Sequence, residues 1–134
     1  MTAGTTILLV DDFPAIRRGL RIMLESHAGW IIIGEAEDGE QGLAQAQRFH
    51  PDIVVVDISM PRMNGLTLTR EIRRLLPDTE VLIVTEHNSR EMLDEAQRAG
   101  ARGYIIKSKI GTHLLAAVEA IREHRAFFAS AIHN

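Results

Sequence analysis

Residues 51–57 read PDIVVVD. Ile53–Val56 are four consecutive β-branched residues with no polar alternation, so they fit a strand covered on both faces, as in a parallel sheet between helix layers. Pro51 punctuates the chain before the run, and Asp57 closes it. A buried strand that delivers a carboxylate at its far end is the first pointer to a site.

Similar runs lie on either side, at residues 7–10, 30–34, 81–85 and 104–106. Between them apolar residues return at helical spacing: Ile16, Leu20, Met23 and Leu24; then Leu68, Ile72, Leu75 and Leu76; then Leu114, Val118 and Ile121. Gly29, Pro77-Asp78, Gly100 and Gly103 punctuate the joins. Strand then helix, five times over, predicts an α/β chain with a parallel sheet and helices on both faces. The stripe over Arg90–Ala99 is the poorest, mainly Leu93, Ala96 and Ala99, and predicts the least firmly packed helix.

The chain has 134 residues, 46% of them hydrophobic, which suits one domain around one core. With 15 Lys and Arg against 18 Asp and Glu, the net charge of -3 offers no general attraction to nucleic acid or anionic membranes. There is no cysteine, which excludes a disulfide scaffold, thiolate metal ligands and cysteine catalysis. The start, MTAGTTILLVDD, lacks a basic n-region, and its apolar run is too short for a signal peptide or a span, so a cytoplasmic location is expected. No GxxxxGK or dinucleotide glycine pattern is present. His27, His50, His87, His113, His124 and His133 show no metal spacing and read mostly as surface residues, with His87 the exception to follow. Arg17, Arg18 and Arg21, like Arg70, Arg73 and Arg74, read as solvated helix faces.

Ligands of such folds bind beyond the carboxyl ends of the strands. Those ends carry Asp11-Asp12, Asp57, Thr85 and Lys107. Taken singly each has a plain reading: a helix N-cap, a loop acid, a solvated lysine. Taken together, three carboxylates at one edge raise each other's pKa unless a cation intervenes. Magnesium suits them, since it takes oxygen ligands and keeps exchangeable waters. Thr85 can donate a hydrogen bond, and Lys107 is one of only two lysines among the 15 basic residues. The set describes a phosphoryl-transfer site with a carboxylate nucleophile.

The motifs LLVDD, VVVDISMPRMNGL, LIVTE and GYIIK resemble those of the response-regulator receiver family, over residues 6–125. The likeness is greatest to receivers of the NarL/FixJ class. The resemblance implies a doubly wound, flavodoxin-like sheet of five strands in the order 2-1-3-4-5. It implies a receiver over residues 1–125 and, in AFFASAIHN at 126–134, a tail or the start of a linker to an output domain. Asp57 would be the phosphoacceptor. Asp12, Asp57 and the Ser59 carbonyl would ligate magnesium, with Asp11 acting mainly through water. Thr85 and Lys107 would hold phosphoryl oxygens, and Tyr104 would turn inward as the threonine moves. Such a chain is a regulator rather than an enzyme. Its implied partners are a sensor histidine kinase, a second copy across the fourth helix, fifth strand and fifth helix, and DNA only through a C-terminal helix-turn-helix.

Two positions depart from the family. Glu86 stands where receivers carry a small residue, which predicts slower phosphotransfer from small anionic donors. Ser108 stands where many have proline, which leaves the isomer of the Lys107–Ser108 bond open. Ser59 and His87 hold positions that flank the path of attacking water in this family, so they are expected to tune phosphate lifetime. Met60-Pro61 and Asn64-Gly65 fit the loop after the acceptor, with Asn-Gly favouring a tight turn. The alternatives are a stand-alone regulator and a pseudo-receiver serving as an interaction module. An aspartate-based phosphatase would need DxD at the first strand, which LVDDFP does not supply.

Overall fold

A computed structural model describes residues 4–128 of the chain. Five strand–helix units run in sequence: β1 (Thr5–Val10), α1 (Pro14–Glu25), β2 (Trp30–Ala36), α2 (Gly39–Phe49), β3 (Ile53–Val56), α3 (Gly65–Leu75), β4 (Glu80–Thr85), α4 (Arg90–Ala99), β5 (Gly103–Ile106) and α5 (Ile110–Ile121). Among the described residues a single 3-10 turn, Lys107–Lys109, links β5 and α5. Among the described residues no helix is long and apolar enough to cross a membrane.

With a sixth strand, β6 (Phe127–Phe128), all strand pairs among the described residues are parallel, in the order β2-β1-β3-β4-β5-β6. The first five follow the expected order, but the expected strand count of five is corrected to six. Phe127 and Phe128 lie in register with Gly103 and Tyr104. After α5 the chain reverses at His124 (φ 62), and the Phe127 amide donates to the Arg102 carbonyl at 3.0 Å. Two residues carry no periodicity, so this strand leaves no pattern in the sequence. The rest of the expected tail, residues 129–134, lies outside the described residues, as does His133.

The sheet divides the core into two. Leu8, Val10, Val54, Val56, Val81, Ile83 and Tyr104 face α2, α3 and α4. Ile7, Leu9, Ile53, Val55, Leu82, Val84 and Ile105 face α1 and α5. Each such aliphatic side chain, wholly withdrawn from water, contributes about 1.5–3 kcal/mol before entropy is counted. Helix α4 buries only Leu93, Ala96 and Ala99, as its stripe predicts. The stripe of α3 is shorter than expected. Leu75 is 37% exposed, whereas Leu76, beyond the helix end with φ -130, turns inward.

At the amino end of β4, opposite the strand ends that carry the polar set, Glu80 is only 3% exposed. Arg102 donates to its Oε2 at 3.1 Å, and His124 Nδ1 lies 2.7 Å from the same oxygen. Arg73 faces Oε1 at 3.1 Å in ion-pair rather than hydrogen-bond geometry. Arg73 also donates to the carbonyls of Pro77 and Thr79, so it is no solvated helix face. The cluster ties α3, β4, the start of β5 and the chain after α5 together.

Burial pushes the Glu80 carboxyl up, but His124, Arg102 and Arg73 outweigh it and hold the group below the ordinary value of 4.5. Its contribution to stability is therefore complete above 4.5 and is lost as pH falls through the depressed native value. Glu80→Gln is expected to lower the unfolding free energy at neutral pH by about 1–3 kcal/mol. Denaturant unfolding followed across acidic pH should also show a shallower acid decline in the variant.

Candidate functional site

Val10, Val56, Ile83 and Tyr104 lie level across the sheet. The polar residues follow that row by one to three positions: Asp11 and Asp12 beyond β1, Asp57 beyond β3, Thr85 at the end of β4 and Lys107 beyond β5. Register alone thus gathers groups that are distant in sequence. Lys107 Nζ donates to Asp57 Oδ2 at 3.0 Å and lies 3.1 Å from Asp11 Oδ2. Asp11 is 2% exposed and Asp57 5%.

One carboxylate oxygen each from Asp11, Asp12 and Asp57 falls within a 4.8 Å set. Asp12 Oδ1 is buried and has no hydrogen-bond partner among the described residues. A buried acceptor normally finds a donor, so an oxygen without one, beside two further carboxylates, fits a hard cation. The residues could hold a metal.

The helix-cap reading of Asp11-Asp12 is corrected by the geometry. Phe13 occupies the N-cap of α1 with no side-chain cap bond, and Pro14 follows. Asp11 instead accepts the Phe13 amide at 2.9 Å, which bends the chain out of β1. Arg17 donates to the Asp11 carbonyl and to Glu35, while Arg21 pairs with Glu35 and Glu25. Arg17 and Arg21 therefore brace the first acidic loop rather than facing solvent alone. The Phe13 ring stays exposed, with Lys107 Nζ 5.5 Å from its centroid.

The loop from Asp57 to α3 is closed by a bare glycine. A Cβ on Gly65 would stand 2.0 Å from the Asp57 carbonyl oxygen, and the Gly65 amide donates to Ile58 at 2.8 Å. Asn64 is the N-cap of α3, accepting the Leu66 and Thr67 amides at 2.9 and 3.0 Å. Asn-Gly here starts a helix rather than making the tight turn expected of it.

His87 links the remaining predicted residues. Its Nε2 shares a hydrogen bond with Ser59 Oγ at 2.9 Å, its amide donates to Thr85 Oγ1 at 3.3 Å, and its carbonyl accepts the Tyr104 hydroxyl at 2.7 Å. Thr85 and Tyr104 are fully buried, and the tyrosine is turned inward. Glu86 is exposed, its carboxylate in water beside this group. The Lys107–Ser108 bond is trans.

Electrostatics follow from burial and neighbours. Burial pushes the Asp11 carboxyl up, more than the Phe13 amide and Lys107 pull it down. Burial works against the charge of Lys107, but Asp57 and Asp11 outweigh it and raise its pKa. Burial, with the nearby charge of Asp57, pushes the Tyr104 hydroxyl up to about 12, so it stays a donor.

Besides the contacts of Arg17 and Arg21, sequence reasoning missed a pair on the loop after Asp57. Asp38 caps α2 and binds Arg62 from the loop after Asp57. The capping pair Asp38 and Gln41 carries a sequence signature, but nothing in the sequence marks Arg62 as its partner.

A family model described as the response regulator receiver domain matches residues 7–119. The transcriptional regulatory protein YxjL of Bacillus subtilis is 34% identical over 122 residues, covering 91% of this chain and 56% of that protein. Response regulator UvrY of Escherichia coli is 32% identical over 126 residues, covering 94% of this chain and 58% of its own length. The crystal structure of a LuxR-family two-component response regulator from Aurantimonas sp. superposes with a TM-score of 0.93 at 34% identity, over 98% of this chain and 94% of that one. The chain spans little more than half the length of the two curated relatives named.

Gly65→Ala forces backbone apart at the strand end that carries Asp57. Overpacking of this kind is expected to cost about 1–3 kcal/mol. Thermal unfolding reads the loss, and two-dimensional amide NMR should place the largest shifts at Asp57 and Ile58.

Proposed function

The chain belongs to the response regulator receiver domain family, and from that premise we propose that Asp57 accepts a phosphoryl group from a sensor histidine kinase. The carrying observation is Lys107 held between Asp57 and Asp11 while Asp12 keeps a buried oxygen without a partner. Asp57 attacks phosphorus in line, the P–N bond of the donor phosphohistidine breaks, and an acyl phosphate forms. Asp12, Asp57 and the Ser59 carbonyl would hold magnesium, with Asp11 acting mainly through water. Bound there, the ion supplies compensation for charge on the phosphoryl oxygens.

Lys107 follows the transferred charge, since its ammonium reaches Asp57 already. The Thr85 hydroxyl donates to a phosphoryl oxygen, which draws the end of β4 toward the site. Tyr104 shares His87 with Thr85, so fixing the threonine biases the tyrosine toward its inward position. A ligand acts on such a pair only through its different contacts in the two states. Ser59 and His87, joined across the site, tune how long the phosphate survives.

The receiver comprises residues 1–125 together with the β6 pairing of Phe127 and Phe128, and the residues after that strand lead toward an output domain. The shares of the curated relatives that are covered, and the transcriptional role in the name of YxjL, support a place in a longer transcriptional regulator; contact with DNA through a C-terminal helix-turn-helix and a cytoplasmic location complete the reading. The output and dimerisation face is α4, β5 and α5, with β6 along its strand edge. Apart from its own phosphorylation and dephosphorylation, the domain performs no catalysis.

Incubation with a phosphorylated histidine donor and magnesium, followed by intact-mass spectrometry, is expected to add one phosphoryl group. Asp57→Asn should take up none, and persistent label in that variant would overturn the assignment. Glu86→Ala should label roughly two- to fivefold faster from acetyl phosphate, the scale of one exposed charge. An unchanged rate in that assay removes the role given to Glu86.

A further inference from the structure

The loop after Asp57 adopts a backbone that its own residues disfavour. Arg62 and Met63 both have positive φ, 47 and 87, and neither is glycine. Side chains in this region crowd the backbone, so such a conformation persists only where the surroundings hold it.

What holds it is the start of α2. Asp38 is 1% exposed. Its Oδ1 accepts the Gln41 amide at 2.8 Å, and its Oδ2 accepts Arg62 Nε and Nη2 at 3.1 and 2.9 Å. The Glu40 amide donates to the Arg62 carbonyl at 3.0 Å. Gly39 gives the loop room, since a Cβ there would stand 2.0 Å from the Met63 carbonyl oxygen. On its other side the same loop is gripped by His87 through Ser59.

We propose that Asp38 and Arg62 are positioning residues for the cation site: their ion pair clamps the strained loop to α2 and so aims the Ser59 carbonyl at the ion. The inference rests on the reading of Asp12, Asp57 and Ser59 as ligands. Neither Asp38 nor Arg62 belongs to that set. Their effect passes through the backbone of residues 59–63, which is how groups outside a coordination sphere govern the ligands within it. The side chain of Arg62 is 63% exposed while that of Asp38 is 2% exposed, so the buried partner fixes the geometry and the arginine closes over it.

The test is a magnesium chloride titration of the full chain, following the Asp57 and Ser59 amides by NMR, in wild type, Asp38→Asn, Arg62→Ala and Arg62→Lys. Asp38→Asn keeps an oxygen for the Gln41 amide, so α2 keeps its cap. Half-saturation is expected to move to roughly 10–100-fold higher magnesium in Asp38→Asn and Arg62→Ala, with unchanged plateau shifts and partial recovery in Arg62→Lys. Combining Asp38→Asn with Arg62→Ala should weaken binding no further than the worse single change, because both remove one contact. Amide hydrogen exchange without metal should speed up at residues 62–64 ahead of the strands. Half-saturation within twofold of wild type in both variants overturns the clamp, as does a loss that merely tracks a global fall in Tm. A wild-type chain that does not titrate removes the cation site itself, and the clamp with it.

Discussion

Lys107 sits between the carboxylates of Asp57 and Asp11, and the arrangement around it is a problem of charge balance. Two acids nearly closed off from water, with a third beside them, face a single ammonium ion. One cation cannot satisfy three carboxylates, and the Asp12 oxygen left without a partner is the visible remainder. Folding tolerates this because the strands bearing the acids are held by two apolar layers, whose burial outweighs local repulsion. A site kept short of positive charge has carboxylate oxygens that could hold a hard cation.

Much of this was readable in the sequence because it depends on strand ends. Unbroken apolar runs fix the parallel sheet, register fixes which residues stand just beyond it, and Asp11, Asp12, Asp57, Thr85 and Lys107 follow. The contacts that escaped each join an arginine side chain to a group on another segment: Arg17 on the Asp11 carbonyl, Arg73 on Glu80 and Arg62 on Asp38. An arginine beside an apolar stripe looks the same in sequence whether it meets water or a buried acid. The sixth strand escaped for another reason, since a two-residue pairing has no period to detect. Its place depends on the reversal at His124 and on the anchor at Glu80.

Two features bring the site toward the rest of the molecule. His87 joins Thr85, Ser59 and Tyr104 through separate atoms, so it couples the threonine to both the loop after Asp57 and the buried tyrosine. Tyr104 in turn lies level with Phe128, on the strand where the described chain ends. A chain of contacts thus runs from Thr85 through His87 and Tyr104 to β6. Helix α4 flanks that path with only Leu93, Ala96 and Ala99 buried, although α1, with Leu20 and Leu24, buries no more residues than it does.

Thermal unfolding of wild type and Asp12→Ala, each with and without magnesium, tests the charge balance most directly. Without the ion the variant should be at least as stable as wild type, because it loses an acid that has no partner. With magnesium about tenfold above its Kd, wild type should gain roughly 5 °C and the variant nothing. An equal rise in both proteins, or a variant much less stable than wild type in the absence of metal, would contradict it.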